Sequence, residues 1–270
     1  MQYQSGIHTI ELRTENQIAL SALPEGYRQA IEPMGRLRYK LNIPSLPDMN
    51  EYNNIIITQK AIDDALLLFS KIGAGQRRVT RIDYRFDDHK HDYAHNLPVM
   101  TVLVFLLAHQ GGIFDRRAVF SDGEGIPSSI RAMPKEGDLI ARYGIEYYDK
   151  ERQKGTRQYG RARFELRRLN LNGEPIAYVV EEWRDKLQAI TRTDYKAMLT
   201  ERAKALISKR SSDIRKVRPY FIAREEEGIF MRLSGSAQSH YYCQNLPGWA
   251  NVKAELDSIT SVLERQLNPQ

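Results

Sequence analysis

Four segments of the chain alternate strictly between apolar and polar residues. In residues 36–43 every second side chain is apolar, and the polar positions between them are Arg36, Arg38, Lys40 and Asn42. In residues 78–88 the side chains Ile82, Tyr84 and Phe86 share one face, and the other face carries Arg81, Asp83, Arg85 and Asp87. Because successive side chains of a strand point to opposite faces, both segments predict β-strands with one apolar and one polar face.

The other two alternating segments predict an antiparallel hairpin. In residues 138–150, Glu146 and Tyr148 point one way and Tyr147 the other. In residues 159–169 the apolar Phe164 and Leu166 face away from a polar set made of Arg163, Glu165 and Arg167. A long polar connection joins the two segments. One of the adjacent tyrosines should therefore belong to the core and the other to a surface.

Helical patterns fill much of the remaining chain. Thr58 can cap a helix that Gly73 ends, and a nearly all-apolar helix runs from Asn96 and Pro98 to Gly111. Further helices are predicted from Pro175 to about Ser212 and from Val252 to Leu267, with short strands at 117–122 and 128–133. The fold class predicted is α+β: an antiparallel sheet with helices on its apolar face, its polar face carrying the site, and a helical C-terminal region. The predicted domains are residues 1–214 and an appendage of residues 215–270.

Composition narrows the class of protein only slightly. The chain has 270 residues, 40 Lys and Arg against 34 Asp and Glu, and a formal net charge of +6. This excess permits a polyanionic partner without identifying one. The single cysteine, Cys243, forms no intramolecular disulfide. The start of the sequence lacks a signal peptide's pattern, and the apolar run 97–108 is too short to span a membrane, so we expect a cytoplasmic protein without a membrane partner.

The polar face of the predicted sheet gathers residue types that suit phosphoryl chemistry. Asp83, Asp87 and Glu165 offer the hard oxygen ligands that Mg²⁺ or Mn²⁺ prefers. Arginine and lysine side chains on the same face can hold phosphates, and a tyrosine is a possible nucleophile. An ordinary solvated face with charges paired across strands explains the alternation equally well, although it does not explain why Tyr148 lies among carboxylates.

Three motifs in order, "TRIDYRFD", "IEYYDKERQK" and "RARFELRR", give the chain a family resemblance. It resembles the rolling-circle replication initiators of small Gram-positive plasmids, the Rep_trans group, and related relaxases of mobile elements, over about residues 37–169. The resemblance implies Tyr148 as the nucleophile and Tyr147 as its core-facing neighbour. It also implies a metal held by Asp83, Asp87 and Glu165, with Lys150 and Arg163 as supporting charges.

The activity implied by this resemblance is nicking of one DNA strand at an origin. The protein would stay attached through a 5′-phosphotyrosine and leave a 3′-hydroxyl primer, with a host helicase recruited and a homodimer as the working form. The residues expected to contact DNA are Arg36, Arg38, Lys40, Arg85 and Arg167. One departure concerns Arg167, which stands where the family often has a second acid.

Three alternatives to a replication initiator stay open. A conjugative relaxase would use the same chemistry at an origin of transfer. A non-catalytic DNA-binding regulator would keep the fold and cut nothing, and a metal phosphodiesterase using water would release product without a protein–DNA adduct. For His89, His91 and His95 in "DDHKHDYAH" we expect a solvated loop, with an auxiliary metal role as the alternative.

Overall fold

A computed structural model gives one antiparallel sheet of eight strands in the part of the chain that it describes. That part comprises residues 3–23, 27–31, 37–42, 59–111, 117–121, 127–133, 142–150, 161–192 and 249–267. The strands are β1 (Tyr3–Thr14), β2 (Tyr27–Ile31), β3 (Leu37–Asn42), β4 (Arg77–Asp92), β5 (Arg117–Ser121), β6 (Pro127–Ala132), β7 (Tyr143–Asp149) and β8 (Arg161–Leu169). Their order in the sheet is β2-β3-β1-β4-β8-β7-β6-β5, so β4 and β8 form the central pair and β1 lies beside β4.

Four α-helices accompany the sheet within the same residues. They are α1 (Gln59–Lys71), α2 (Tyr93–Gly111), α3 (Ile176–Arg192) and α4 (Trp249–Leu267), and a 3₁₀ turn covers Leu20–Ala22. Helix α1 ends where Gly73 adopts a φ of +85°, a conformation that favours glycine. Among the described residues, no helix is both long enough and apolar enough to cross a membrane.

The core lies between the helices and one face of the sheet. Tyr147 marks this face, because its ring stacks on Tyr93 of α2 with centroids 4.9 Å apart and its hydroxyl donates to the Tyr93 carbonyl oxygen over 3.1 Å. The core's buried side chains include Leu12, Ile82, Phe86, Ile145, Phe164, Leu166, Leu103, Trp183, Leu256 and Leu263. The predicted α+β class and the assignment of Tyr147 to the core are therefore confirmed.

Arg168 is a charged residue on the core side of the sheet. It is buried, and its Nε donates to Oε2 of Glu182 in α3 over 2.6 Å. The Tyr143 hydroxyl also donates to Glu182, and the Tyr143 ring meets Trp183 edge-on. These contacts attach helix α3 to strands β7 and β8 through a buried ion pair as well as through apolar packing.

Most predicted elements appear with small shifts of their ends. The strands at 37–42, 117–121 and 127–132 and the hairpin of β7 with β8 match the alternation. Thr58, residues 193–212 of the helix predicted from Pro175 and the predicted boundary at residue 214 lie outside the described residues. Helix α4 packs against α3, α2 and β1. Strands β1 and β2 were not predicted.

The solvated loop predicted for the three histidines is wrong. Strand β4 continues to Asp92 and helix α2 starts at Tyr93, so His89 and His91 lie on a strand end and His95 in the first helical turn. Asp92 accepts a hydrogen bond from the His95 backbone N–H over 2.8 Å, which joins the two elements without a connecting loop.

Candidate functional site

Strand register brings the predicted site residues onto one face of the sheet, the polar face. In the pairing of β4 with β8, Asp83 lies opposite Arg167, Arg85 opposite Glu165, and Asp87 opposite Arg163. In the pairing of β7 with β8, Glu146 lies opposite Glu165, and Tyr148 opposite Arg163. Residues directly opposite each other in an antiparallel pair share a face, so the four strands β4, β8, β7 and β6 form one continuous surface.

Strand β1 extends the polar face toward β3. Glu11 lies opposite Lys40 of β3 on one side and opposite Arg81 of β4 on the other. Arg38 donates to Glu11 over 3.0 Å. Arg38 and Lys40 were predicted to contact DNA, and both side chains are half-buried. Arg36, the third predicted contact in this region, lies outside the described residues.

The polar face is buried rather than solvated. Arg85 and Asp87 have 0% exposure, and Tyr148 has 4%. Burying charged groups is costly unless each is paired. The face meets that condition through ion pairs between neighbouring strands, which an ordinary solvent-facing sheet surface does not need.

Tyr148 and Glu165 form the central contact of the polar face. The Tyr148 hydroxyl donates to Oε1 of Glu165 over 2.7 Å. Burial, followed by the negative charge of Glu165, raises the pKa of Tyr148 well above its ordinary value, while Arg163 acts in the opposite direction. The phenol therefore holds its proton in this arrangement, with a carboxylate already in place to accept it.

The Glu165 carboxylate keeps its charge in spite of its burial. Burial alone would raise the pKa of Glu165, but the positive charges of Arg167 and Arg163 and the hydrogen bond from Tyr148 outweigh it and hold this pKa well below its usual range. Nη2 of Arg167 lies 2.8 Å from Oε2 of Glu165. The two carboxylate oxygens thus have different partners, Tyr148 at Oε1 and Arg167 at Oε2.

His8 belongs to this site and was missed in the sequence. Its Nδ1 lies 3.5 Å from Oε1 of Glu165 and 3.1 Å from Oγ1 of Thr9. Burial, together with the positive charges of Arg163, Lys150 and Arg85, lowers the pKa of His8 to about 3 against the opposing effect of Glu165. The imidazole is therefore neutral beside the Tyr148–Glu165 contact at neutral pH.

A β-bulge directs His8 toward the polar face. The pairing of β1 with β4 shifts register between Ile7 and Thr9, so that Ile7 lies opposite Tyr84 on the core side and Thr9 opposite Asp83 on the polar side. His8 is the extra residue between them. The one sign of this bulge in the sequence is the spacing of the apolar residues Ile7 and Ile10, which breaks the alternation at this point.

Asp87 is held by two arginines. Arg163 binds it with both nitrogens of its planar fork, Nε to Oδ1 over 2.5 Å and Nη2 to Oδ2 over 2.9 Å, and Nη1 of Arg85 donates to Oδ2 over 2.8 Å. Within the described part of the chain, Nη1 of Arg163 is buried and has no hydrogen-bond partner. Nζ of Lys150 lies 5.8 Å from the centroid of the Tyr148 ring. The surroundings of Tyr148 therefore include two cations and one unused N–H donor.

Asp83 makes its closest contacts with Arg81. Nε and Nη2 of Arg81 donate to its two carboxylate oxygens over 2.7 Å and 2.6 Å, and Nη1 of Arg81 donates to Glu11 over 2.7 Å. Burial raises the pKa of Asp83 even though Arg81 and Arg167 favour its charged form. Arg81 thus connects the β1 end of the polar face with the Glu165 end.

The predicted metal ligands do not fit a divalent ion in this arrangement. Asp83 faces Arg81, Asp87 faces Arg85 and Arg163, and Glu165 faces Tyr148 and Arg167, so each carboxylate already has a cationic partner. The described residues include no group of three or more His, Cys, Asp or Glu side chains arranged to hold a metal ion. The Mg²⁺ or Mn²⁺ ion stays a prediction of the family resemblance.

The histidine segment forms a separate polar cluster at the end of β4. The rings of His91 and His95 stack 4.5 Å apart at 9°, and Nδ1 of His91 lies 3.4 Å from Oδ2 of Asp88. The Asn96 side-chain amide donates to the same oxygen over 2.5 Å. These contacts explain why the segment forms a direct junction between strand β4 and helix α2.

Comparison with known proteins adds a distant structural likeness. The sequence matches no known protein-family model and no curated protein. Among solved structures, the chain is similar to a rolling circle replication initiator protein from Geobacillus stearothermophilus, with a TM-score of 0.35 and 11% identity over 67% of this chain and 78% of that chain. A likeness this distant does not assign a function to the chain.

Proposed function

We propose that this protein initiates rolling-circle replication by nicking and rejoining one DNA strand, with Tyr148 as the nucleophile. The observation that carries the proposal is the 2.7 Å contact between the Tyr148 hydroxyl and Glu165, beside an arginine with an unused donor. The three motifs that resemble plasmid replication initiators support the same function through their order and their placement on strands. The proposed site of action is the cytoplasm.

The proposed reaction is a transfer of one phosphodiester linkage to tyrosine and back. The Tyr148 oxygen attacks phosphorus as its proton passes to Oε1 of Glu165, and an O–P bond to tyrosine forms. The bond from phosphorus to the 3′ oxygen breaks, and that oxygen takes a proton from water to become the 3′-hydroxyl primer. The 5′-phosphotyrosine conserves the linkage, so attack by a 3′-hydroxyl reverses the step.

Charges around Tyr148 suit the phosphate in this reaction. Nη1 of Arg163 is a buried N–H donor without a partner among the described residues, and Lys150 adds a second positive charge near the phenol ring. Donors held in place before the reaction stabilise the charge that develops on phosphate oxygens. We assign the phosphate contact first to Arg163, because its Nε and Nη2 bind Asp87 while its Nη1 has no partner among the described residues.

DNA must reach a buried hydroxyl for this chemistry to occur. Tyr148 has 4% exposure, so binding of DNA has to uncover the polar face around it. The raised pKa of the phenol acts against attack from the covered state, since a protonated phenol is a weak nucleophile. Origin binding would therefore both expose Tyr148 and bring the phosphate that Arg163 receives.

The test is a search for the covalent adduct. Purified protein is incubated with labelled single-stranded DNA and supercoiled DNA carrying the region around its own gene, with Mn²⁺, Mg²⁺ or EDTA, and the products are separated on a denaturing gel. We expect a protein–DNA adduct that Tyr148→Phe abolishes and Tyr147→Phe retains. The EDTA arm tests the predicted metal, and gel filtration with and without DNA tests the predicted dimer.

Two other results would replace the proposal. DNA binding without cleavage or adduct, at a confirmed origin and with either metal, would favour the non-catalytic regulator. Cleavage without an adduct, unaffected by Tyr148→Phe, would favour a phosphodiesterase that uses water. An adduct formed at an origin of transfer instead of a replication origin would identify a conjugative relaxase with the same chemistry, and the recruited helicase would then no longer be expected.

A further inference from the structure

Arg167 lies among three carboxylates that come from three strands. Its Nη2 is 2.8 Å from Oε2 of Glu165 on β8 and also bonds Oε2 of Glu146 on β7, while its Nε is 3.9 Å from Oδ2 of Asp83 on β4. One guanidinium group therefore contacts carboxylates from three strands, whereas Asp87 has its own two arginines.

Neighbouring side chains fix the position of the guanidinium. The residue opposite Arg167 on β7 is Gly144, where a Cβ atom would lie 2.7 Å from Sδ of Met133. Met133 occupies the space over this glycine, and its sulfur lies 3.9 Å from Nη1 of Arg167. The absence of a side chain at residue 144 thus leaves room for Met133 to pack along the arginine.

The charges of this cluster require a cation. Asp83 has Arg81 as its closest partner, whereas Glu146 and Glu165 lie opposite each other on β7 and β8 and both bond Arg167. Without Arg167, two like charges would lie directly opposite each other in the sheet, which is unfavourable. Carboxylate oxygens are also the ligands that Mg²⁺ and Mn²⁺ prefer, although no three such side chains of the described residues are arranged to hold a metal ion in this structure.

We propose that Arg167 is the built-in cation of this cluster, its guanidinium occupying the place that a divalent metal would otherwise take among Asp83, Glu146 and Glu165. The cluster differs from the predicted metal set, because it contains Glu146 and excludes Asp87. Arg167 is then a positioning residue: it binds Oε2 of Glu165 and leaves Oε1 to accept from the Tyr148 hydroxyl. This inference holds whether or not Tyr148 cuts DNA.

The experiment measures Mn²⁺ binding without DNA. Mn²⁺ is titrated into the wild-type chain, Arg167→Lys and Arg167→Ser, and free Mn²⁺ is followed by electron paramagnetic resonance, with thermal unfolding as a second readout. Removing the guanidinium should open the site, so Arg167→Ser should bind one Mn²⁺ per chain at least ~10-fold more tightly than wild type. Arg167→Lys keeps a positive charge and should behave as wild type.

A second substitution locates the bound ion. Adding Glu146→Gln to Arg167→Ser should return Mn²⁺ binding to the wild-type level, since one ligand of the cluster is lost. Arg167→Ser should unfold at a lower temperature than wild type, and Mn²⁺ should restore part of that loss. Folding of Arg167→Ser only in the presence of Mn²⁺ would support the proposal in the same way.

Two results would overturn the proposal. The first is a Mn²⁺ ion bound by the wild-type chain and lost in Glu146→Gln, because the metal would then coexist with the guanidinium. The second is a folded Arg167→Ser chain that binds no more Mn²⁺ than wild type. If Arg167→Ser fails to fold in every condition, Arg167→Gln replaces it, because glutamine keeps more of the side-chain volume. The same increase in Mn²⁺ binding is then expected, and its absence would overturn the proposal. The titration of the wild-type chain does not depend on either variant.

Discussion

The Tyr148 hydroxyl donates to Oε1 of Glu165 over 2.7 Å, and this bond joins two strands across the centre of a buried polar face. The neighbouring tyrosine donates its hydroxyl to a backbone carbonyl of helix α2 on the opposite side of the sheet. Adjacent residues of one strand thus belong to a charged network and to the apolar core. The two phenols have the same chemistry, and only their surroundings differ.

Phenylalanine substitutions at these two positions should separate activity from stability. Tyr148→Phe should abolish the DNA adduct, because it removes the attacking oxygen. Tyr147→Phe should leave the adduct intact and lower the free energy of unfolding by about 1 kcal/mol, the cost of losing the hydrogen bond to Tyr93. Denaturing gels and urea unfolding measure the two effects. An adduct that survives in Tyr148→Phe would exclude this residue as the nucleophile.

Asp87→Asn should strongly destabilise the fold. The substitution keeps the shape of the side chain but leaves the buried Arg85 and Arg163 without their counter-charge. Loss of one partner of a buried ion pair typically costs roughly 3–5 kcal/mol. Urea unfolding should show this loss, whereas Asp257→Asn, at an exposed pair with Lys253 on helix α4, should change little. Equal effects of the two substitutions would mean that the Asp87 network contributes no more than a surface pair.

His8 should make stability depend on pH in a defined window. Its pKa is about 3 in the folded chain against an ordinary 6.5, so between these values the unfolded chain binds a proton that the folded chain does not. The free energy of unfolding should therefore fall as pH drops from about 6.5 toward 3, with a slope of roughly 1 kcal/mol per pH unit from this group. Other carboxylates titrate in the same range, so the difference between wild type and His8→Gln isolates the contribution. Parallel pH profiles for the two chains would contradict the buried neutral state of His8.

Glu182→Ala should loosen helix α3 from the sheet. It leaves Arg168 buried without the carboxylate that binds it and removes the partner of the Tyr143 hydroxyl. We expect a loss of roughly 3 kcal/mol in the free energy of unfolding. Glu181→Ala changes the adjacent, exposed residue of the same helix and should have little effect. Hydrogen exchange of the α3 backbone amides would show whether the change is local to this helix.

The residues of the polar face could be predicted from the sequence, because the alternation of apolar and polar residues shows which side chains of a strand point the same way. Asp83, Arg85 and Asp87 on β4 and Glu165 on β8 could be assigned to one surface before any strand order was known. Only the pairing of β7 with β8 could be predicted, because these two strands are close together in the sequence. Alternation carries no information about what covers a face, and so the burial of these charges was not predicted.

The rest of the site was hidden by irregular local structure. The bulge at His8 interrupts the period of two in β1, so the first strand and its histidine gave no readable pattern. The polar segment from Asp87 to Asp92 resembles a loop in composition, yet it continues β4 because the side chains of Asp88 and Asp92 accept hydrogen bonds from the start of helix α2. The role of Arg167 also depends on Asp83 and Glu146, which are distant in sequence and meet only in the folded sheet.

The position of β1 inside the sheet has a consequence for the newly made chain. Among the described strands β1 is made first, but its partner β4 ends at Asp92, 78 residues after Thr14. At ordinary rates of translation this separation corresponds to roughly 4–16 s. During that interval a strand with one apolar face has an open edge, which is the type of segment that holdase chaperones bind and that neighbouring nascent chains can pair with. Pairing in the interior of the sheet therefore waits until β4 has been made.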